Sequence, residues 1–139
     1  KRGLDALEEL SPEAKKYIAP LPVLYDSTLS SYQEMLEMMA GMGGHGNPNF
    51  PMAQAIKDAT MAHFILEHFE VGNCFIHYHG AFHSKDFEGI AWYLKQARPE
   101  LNIITISSEE QEDIENMDDA LKGRADFILL IPESMTKTY

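Results

Sequence analysis

The sequence predicts an α/β fold, a layered and largely parallel sheet flanked by helices, in a domain that is incomplete. Three observations carry this. Three apolar runs rich in β-branched or aromatic residues, "CFIHYH" (74–79), "LNIITIS" (101–107) and "ADFILLIP" (125–132), alternate with a helical pattern and an acidic stretch. Strand–helix–strand order is how parallel strands connect. The 139 residues, 45% hydrophobic and 24% charged, suit one packed domain. Three short strands nonetheless make a thin sheet, so either further strands lie in the first 50 residues or part of the sheet is missing.

The elements follow in order. Leu4 to Leu10 is a short amphipathic stretch. "SPEAKKYIA" reads as a helix start, with Ser11 as N-cap, Pro12 at the first helical position and Glu13 in the first turn. Pro20 and Pro22 end it. A second helix is expected from Ser27 to Ala40, with Leu29, Tyr32, Met35, Leu36 and Met39 on one side. Glycines and prolines make Gly41 to Pro51 a loop.

A long helix is expected from Pro51 to His68. Spacings of 4, 3 and 4 place Gln54, Asp58, Met61 and Ile65 on one face, beside a small-residue face of Ala55, Ala59, Ala62 and Leu66. Gly72-Asn73 turns the chain into the strand at Cys74–His79. A helix follows over Asp86–Ala97 with Asp86 as cap, then the strand "LNIITIS". The acidic stretch "SEEQEDIENMDDALKG" is a helix or a solvated loop, and "ADFILLIP" is a buried final strand.

Eleven basic against 22 acidic residues give a net charge of −11. Nucleic-acid surfaces need a basic stripe, and anionic lipid needs the same, so neither partner is expected. The single cysteine, Cys74, sits in an apolar run and reads as a buried thiol. No run is long enough to span a membrane.

Three of the six histidines fall within ten residues: His77, His79 and His83. Alternation puts Phe75, His77 and His79 on one side of the strand. Ligands of parallel α/β sheets sit beyond the carboxyl ends of the strands, where Gly80 turns the backbone and delivers His83 to the rim. Asp58, on the semi-buried flank of the long helix, is a partner for these imidazoles, since an Asp–His hydrogen bond fixes the tautomer of a ligating or basic ring. His45 in the glycine loop can swing onto a ligand. The many methionines, Met61 among them, suit either a flat apolar cofactor or a soft core. His63 and His68 are five apart and share no face.

"MAQAIKDATMAHFI" followed by "FIHYHGAFHSKDFEGIAWYLKQARPELNIITIS" resembles the ChaN-like family of haem-binding uptake proteins. The Gln54-x-x-x-Asp58-x-x-Met61-Ala62 helix, the Gly80-x-x-His83 turn and the Gly89-Ile90-x-x-Tyr93-Leu94 helix carry the resemblance, which is good over about residues 50 to 110. It implies a haem- and iron-uptake-associated binding lipoprotein of the bacterial cell envelope, periplasmic or on the outer membrane. The implied protein is a homodimer around its cofactor, with the outer-membrane uptake machinery as partner. Haem would sit in a crevice at the strand ends, with His79, His83, Tyr78, His45 and Met61 as cofactor-binding candidates. The wider superfamily is similar to erythromycin esterases and Tiki-type metalloproteases, which implies an alternative: a hydrolase, esterase or peptidase, with a divalent metal held by His83, His79 and Asp58. Those enzymes also carry an earlier Gly-Glu-x-His motif, which does not occur before residue 50. The expectation is therefore that residues 1–139 form a single ChaN-like domain that is the carboxyl-terminal portion of a longer protein. Such a domain can pair with itself to cover an exposed sheet edge.

Overall fold

A computed structural model describes residues 2–41, 47 and 49–136. The chain runs through a 3₁₀ turn (Gly3–Glu9), helices α1 (Pro12–Lys15), α2 (Ser30–Gly41) and α3 (Asn49–His68), and two further 3₁₀ turns (Ala81–His83 and Lys85–Phe87). Helix α4 (Ile90–Ala97), strand β1 (Ile106–Gln111), a 3₁₀ turn (Asp119–Leu121) and strand β2 (Phe127–Pro132) complete it.

Helix α3 is the spine. Its small-residue stripe, Ala55, Ala59 and Ala62, is buried as the sequence spacing predicts. Small side chains let α4 approach closely, and the main core forms there: Ala19, Ala59, Ala62, Ile90, Tyr93 and Leu94, with Leu101 and Ile103 packed on its edge. Met61 packs against this core too. A second cluster joins Tyr32 and Met35 of α2 to Ala55 of α3. Ser11 caps α1 by accepting the Ala14 N–H at 3.2 Å, as expected of its position.

The sheet is parallel, with Ile106 opposite Phe127 and Gln111 opposite Pro132. Its register is stapled just before the strands begin. The Asp126 carboxylate accepts from the Thr105 N–H (2.7 Å) and hydroxyl (3.0 Å), and the Asp126 N–H donates to the Thr105 hydroxyl oxygen (3.0 Å). This staple explains why the ladder starts at Ile106 rather than at Leu101. Leu101 and Ile103 turn to the helical core, residues 101–104 precede the ladder, and the Thr105 carbonyl already accepts the Phe127 N–H at 3.1 Å. The acidic stretch contributes strand as far as Gln111 and then loop, where Asp113 accepts the Glu115 and Asn116 N–H groups.

Four expectations are corrected. Residues 74–79 have no regular secondary structure and belong to no sheet among the described residues, and Cys74 is exposed rather than buried. A strand without a neighbour has nothing to bury it, so the alternation of this run has no core to point into. The helix expected at Asp86 starts instead at Ile90, because Asp86 and Phe87 hold left-handed conformations (φ 57° and 61°) that no helix accepts. The final strand is only half covered: Phe127 and Leu129 are exposed, together with Ile104 and Ile106 of the neighbouring run. An all-parallel sheet normally has both faces packed. Among the described residues, nothing covers the second face, so the structure is the small, incomplete α/β sheet that the sequence predicts.

Candidate functional site

The turn after residue 79 is bound to the helices at three places and to the segment before β2 at a fourth. His83 Nδ1 meets Asp58 Oδ1 of α3 at 2.5 Å. The Lys85 ammonium, only 12% exposed, donates to Glu34 of α2. Glu88 caps α2 from a distance: one carboxylate oxygen accepts the Ser30 N–H and hydroxyl (2.8 and 3.0 Å), the other the Ser31 N–H (2.7 Å). These bonds satisfy orphan donors of the first turn of α2, and they hold the Glu88 carboxyl below its ordinary range despite its partial burial. Finally, the Asp86 N–H donates to the Arg124 carbonyl at 3.0 Å.

Gly89 lets this turn and α3 close on each other. Its φ of +54° excludes most side chains, and a Cβ there would lie 2.4 Å from the His83 carbonyl oxygen and 3.3 Å from Asp58 Oδ2. Two successive non-glycine residues in the left-handed region, Asp86 and Phe87, sit in the same turn. Such conformations persist only where the surroundings over-determine them, and they concentrate at functional sites.

Asp58 is fully buried. Tyr32 donates its hydroxyl to Asp58 Oδ2 at 3.0 Å, and the Gln54 amide nitrogen lies 3.4 Å from Oδ1. Burial pushes the Asp58 carboxyl up, against the opposing pull of its bonds to His83 and Tyr32. Burial likewise raises the Tyr32 phenol strongly, and pushes that of Tyr93, which donates to the Leu24 carbonyl, up to about 12. The Gln54 amide also lies against the His83 ring, 2.6 Å from Nδ1 and 3.3 Å from Nε2.

The other two histidines extend the cluster outward. The His79 ring meets His83 edge-on, with 6.3 Å between centroids, and stacks on His77 at 5.2 Å. The Nδ1 atoms of His77 and His79 are 3.0 Å apart. Partial desolvation, with the two neighbouring rings, lowers the His79 pKa, which favours its neutral imidazole near pH 7.

The structure thus brings Asp58 and His83 into contact and sets His79 beside them, as the sequence predicts, with Asp58 deeper than the semi-buried flank expected of it. Tyr78 is 90% exposed, next to these rings in sequence. Met61 faces the core cluster instead. His45 lies outside the described residues. Among the described residues, no group of three or more His, Cys, Asp or Glu side chains is placed to hold a metal ion, so His83, His79 and Asp58 do not form one. Among the described residues no helix is long and apolar enough to cross a membrane. Sequence reasoning missed Tyr32, Glu88 and Lys85 as site residues, because their partners lie 26 to 58 positions away and leave no local spacing to read.

A family model described as "Haem-binding uptake, Tiki superfamily, ChaN" matches residues 1–94 of the 139. It takes in α1 to the middle of α4 with the whole histidine turn, and stops short of the sheet. No curated protein and no solved structure matches the chain significantly.

Proposed function

We propose, from the premise that this chain belongs to the ChaN family of haem-binding uptake proteins in the Tiki superfamily, that it binds haem at the histidine turn and serves haem or iron uptake at the bacterial cell envelope. The observation that carries the placement is the cluster itself: a neutral His79 beside an Asp58-anchored His83.

The donor chemistry fits the group. Haem iron takes neutral imidazole or tyrosine as axial ligand. His79 and His83 supply the first and exposed Tyr78 the second. Phe75, Phe82 and Phe87 of the same segment are exposed and offer apolar surface to a flat ring. Bound haem would supply a Lewis-acidic iron; the protein's part is to hold its donors in place. The cavity of about 270 Å³ between the N-terminal turn and α3 is lined by Leu4, Leu7, Met52 and Ile56 and by none of these histidines. On this reading haem lies on an open surface, and a second copy of the chain, covering its other side, makes the homodimer. Attachment to lipid and contact with outer-membrane uptake machinery belong to the same reading.

The test is a titration with haem, followed by its absorbance. Saturable binding that His79→Ala and His83→Ala weaken, and His63→Ala leaves alone, is expected. Absence of saturable binding, or equal binding by all three variants, refutes the placement.

A second reading has one observation in its favour. A histidine held by a buried carboxylate is the arrangement of a general base, so hydrolysis of an ester or peptide is the alternative. Esterase or peptidase turnover that disappears in His83→Ala would establish it, and an inert wild-type protein would exclude it.

A further inference from the structure

We infer that Asp58 is the positioning residue of the site: it holds His83 in the Nδ1–H form, leaves Nε2 as the donor nitrogen, and makes that nitrogen basic enough to favour ferric over ferrous haem. The last clause rests on the haem reading; the first two do not.

A carboxyl oxygen 2.5 Å from Nδ1 requires a proton between them; with Asp58 ionised and accepting from Tyr32 on its other oxygen, that proton is the imidazole's, and a neutral imidazole carries only one. Nε2 is then the atom with a lone pair, on a ring that keeps 22% of its side-chain surface exposed while Asp58 keeps none. The Gln54 amide nitrogen cannot donate to a nitrogen already carrying a proton. A half-turn of that amide, which exchanges its oxygen and nitrogen, lets the amide oxygen accept from Nδ1–H at the 2.6 Å contact and gives up the 3.4 Å donor contact with Asp58 Oδ1.

The fold spends several interactions on this pair. Burying a carboxylate costs free energy unless donors satisfy it, and α3 needs no acid at its midpoint. Asp58 nonetheless sits there, with Tyr32 donating to its second oxygen and with Gly89, which has no Cβ, beside it. The turn that carries His83 is separately fixed by Lys85 and Glu88. A carboxylate behind a ligating imidazole raises its basicity, and altering such a partner typically changes metal affinity about 10- to 100-fold. The stronger donor favours the more positive iron.

The experiment has two arms. In haem-free, ¹⁵N-labelled wild-type protein, imidazole nitrogen correlations by NMR should show His83 as the Nδ1–H form. A ring in the Nε2–H form, or one averaging between both, overturns the assignment without any variant. In the second arm, ferric and ferrous haem are titrated into wild type, Asp58→Asn and Tyr32→Phe. Asp58→Asn should lower the ferric-to-ferrous affinity ratio about tenfold, or about 59 mV for a one-electron couple. Tyr32→Phe, which keeps the carboxylate and removes one of its donors, should move the ratio the other way and serves if Asp58→Asn does not fold. A ratio unchanged in both overturns the donor-strength claim. Wild-type protein with an Nδ1–H His83 and no haem binding would overturn the haem reading and uphold the positioning role.

Discussion

Replacing Gly89 by alanine tests the claim that the histidine turn is held by close approach to α3. Two costs are legible. The backbone sits at φ +54°, ψ −124°, a conformation that L-residues strongly disfavour, and such strain costs about 1–3 kcal/mol. The new Cβ would also stand 2.4 Å from the His83 carbonyl oxygen and 2.8 Å from its carbonyl carbon. Both are backbone atoms, so no rotamer change relieves the contact and the turn must move, at a further cost of about 1–3 kcal/mol. Gly123 is the control: its φ is +82° and a Cβ there meets nothing within 4 Å, so Gly123→Ala bears only the backbone cost. The difference of about 1–3 kcal/mol corresponds to roughly 2–12 °C in Tm for a chain of this size. Thermal unfolding followed by circular dichroism measures it. Gly89→Ala should melt below Gly123→Ala by that margin, and its His83 Nδ1 proton should lose its hydrogen-bonded chemical shift. Equal melting temperatures would refute the close-approach argument.

Glu88→Gln removes the charge that caps α2 and should cost about 1–2 kcal/mol near neutral pH by urea unfolding. The Glu88 carboxyl lies below its ordinary value in the folded state, so its contribution is present above the usual glutamate range and disappears as pH falls through the lowered value. The variant's deficit should vanish there, and a deficit that persists in acid would contradict the capping role. Tyr32→Phe leaves a buried carboxyl oxygen short of its donor and should cost about 1.5–3 kcal/mol in the same assay with an unchanged m-value; a loss within error of zero would count against a satisfied Asp58. The lowered pKa of His79 means that its contribution is complete above the ordinary histidine value and declines as pH falls toward the lowered one. Across that interval wild-type stability should rise with pH, and His79→Gln should flatten the rise.

The parts of the site that follow a local period were legible in the sequence. Asp58 is found by counting fours along α3, and His83 by the glycine turn that presents it, so their meeting was readable before any coordinates. The small-residue stripe of α3 was readable for the same reason. The partners that reach across the fold were not: Glu88 caps a helix 57 residues earlier, and nothing near either end announces it. The strands were half legible. "ADFILLIP" becomes β2 because β1 pairs with it. "CFIHYH" has the same alternation, yet its exposed Ile76 and Tyr78 show what a strand pattern becomes without a neighbour. The helix that the sequence starts at Asp86 is displaced because the left-handed pair Asp86 and Phe87 serves the turn. Burial of Cys74 was inferred from an apolar run whose covering layer is lacking among the described residues.

The most direct measurement is an iron-edge anomalous difference map from crystals of the protein loaded with haem. The account predicts one iron peak within bonding distance of an imidazole Nε2 of the turn, with His83 Nδ1 still on Asp58. An iron peak at the N-terminal cavity or elsewhere on the surface, or a ligated His83 whose ring has turned away from Asp58, would contradict it.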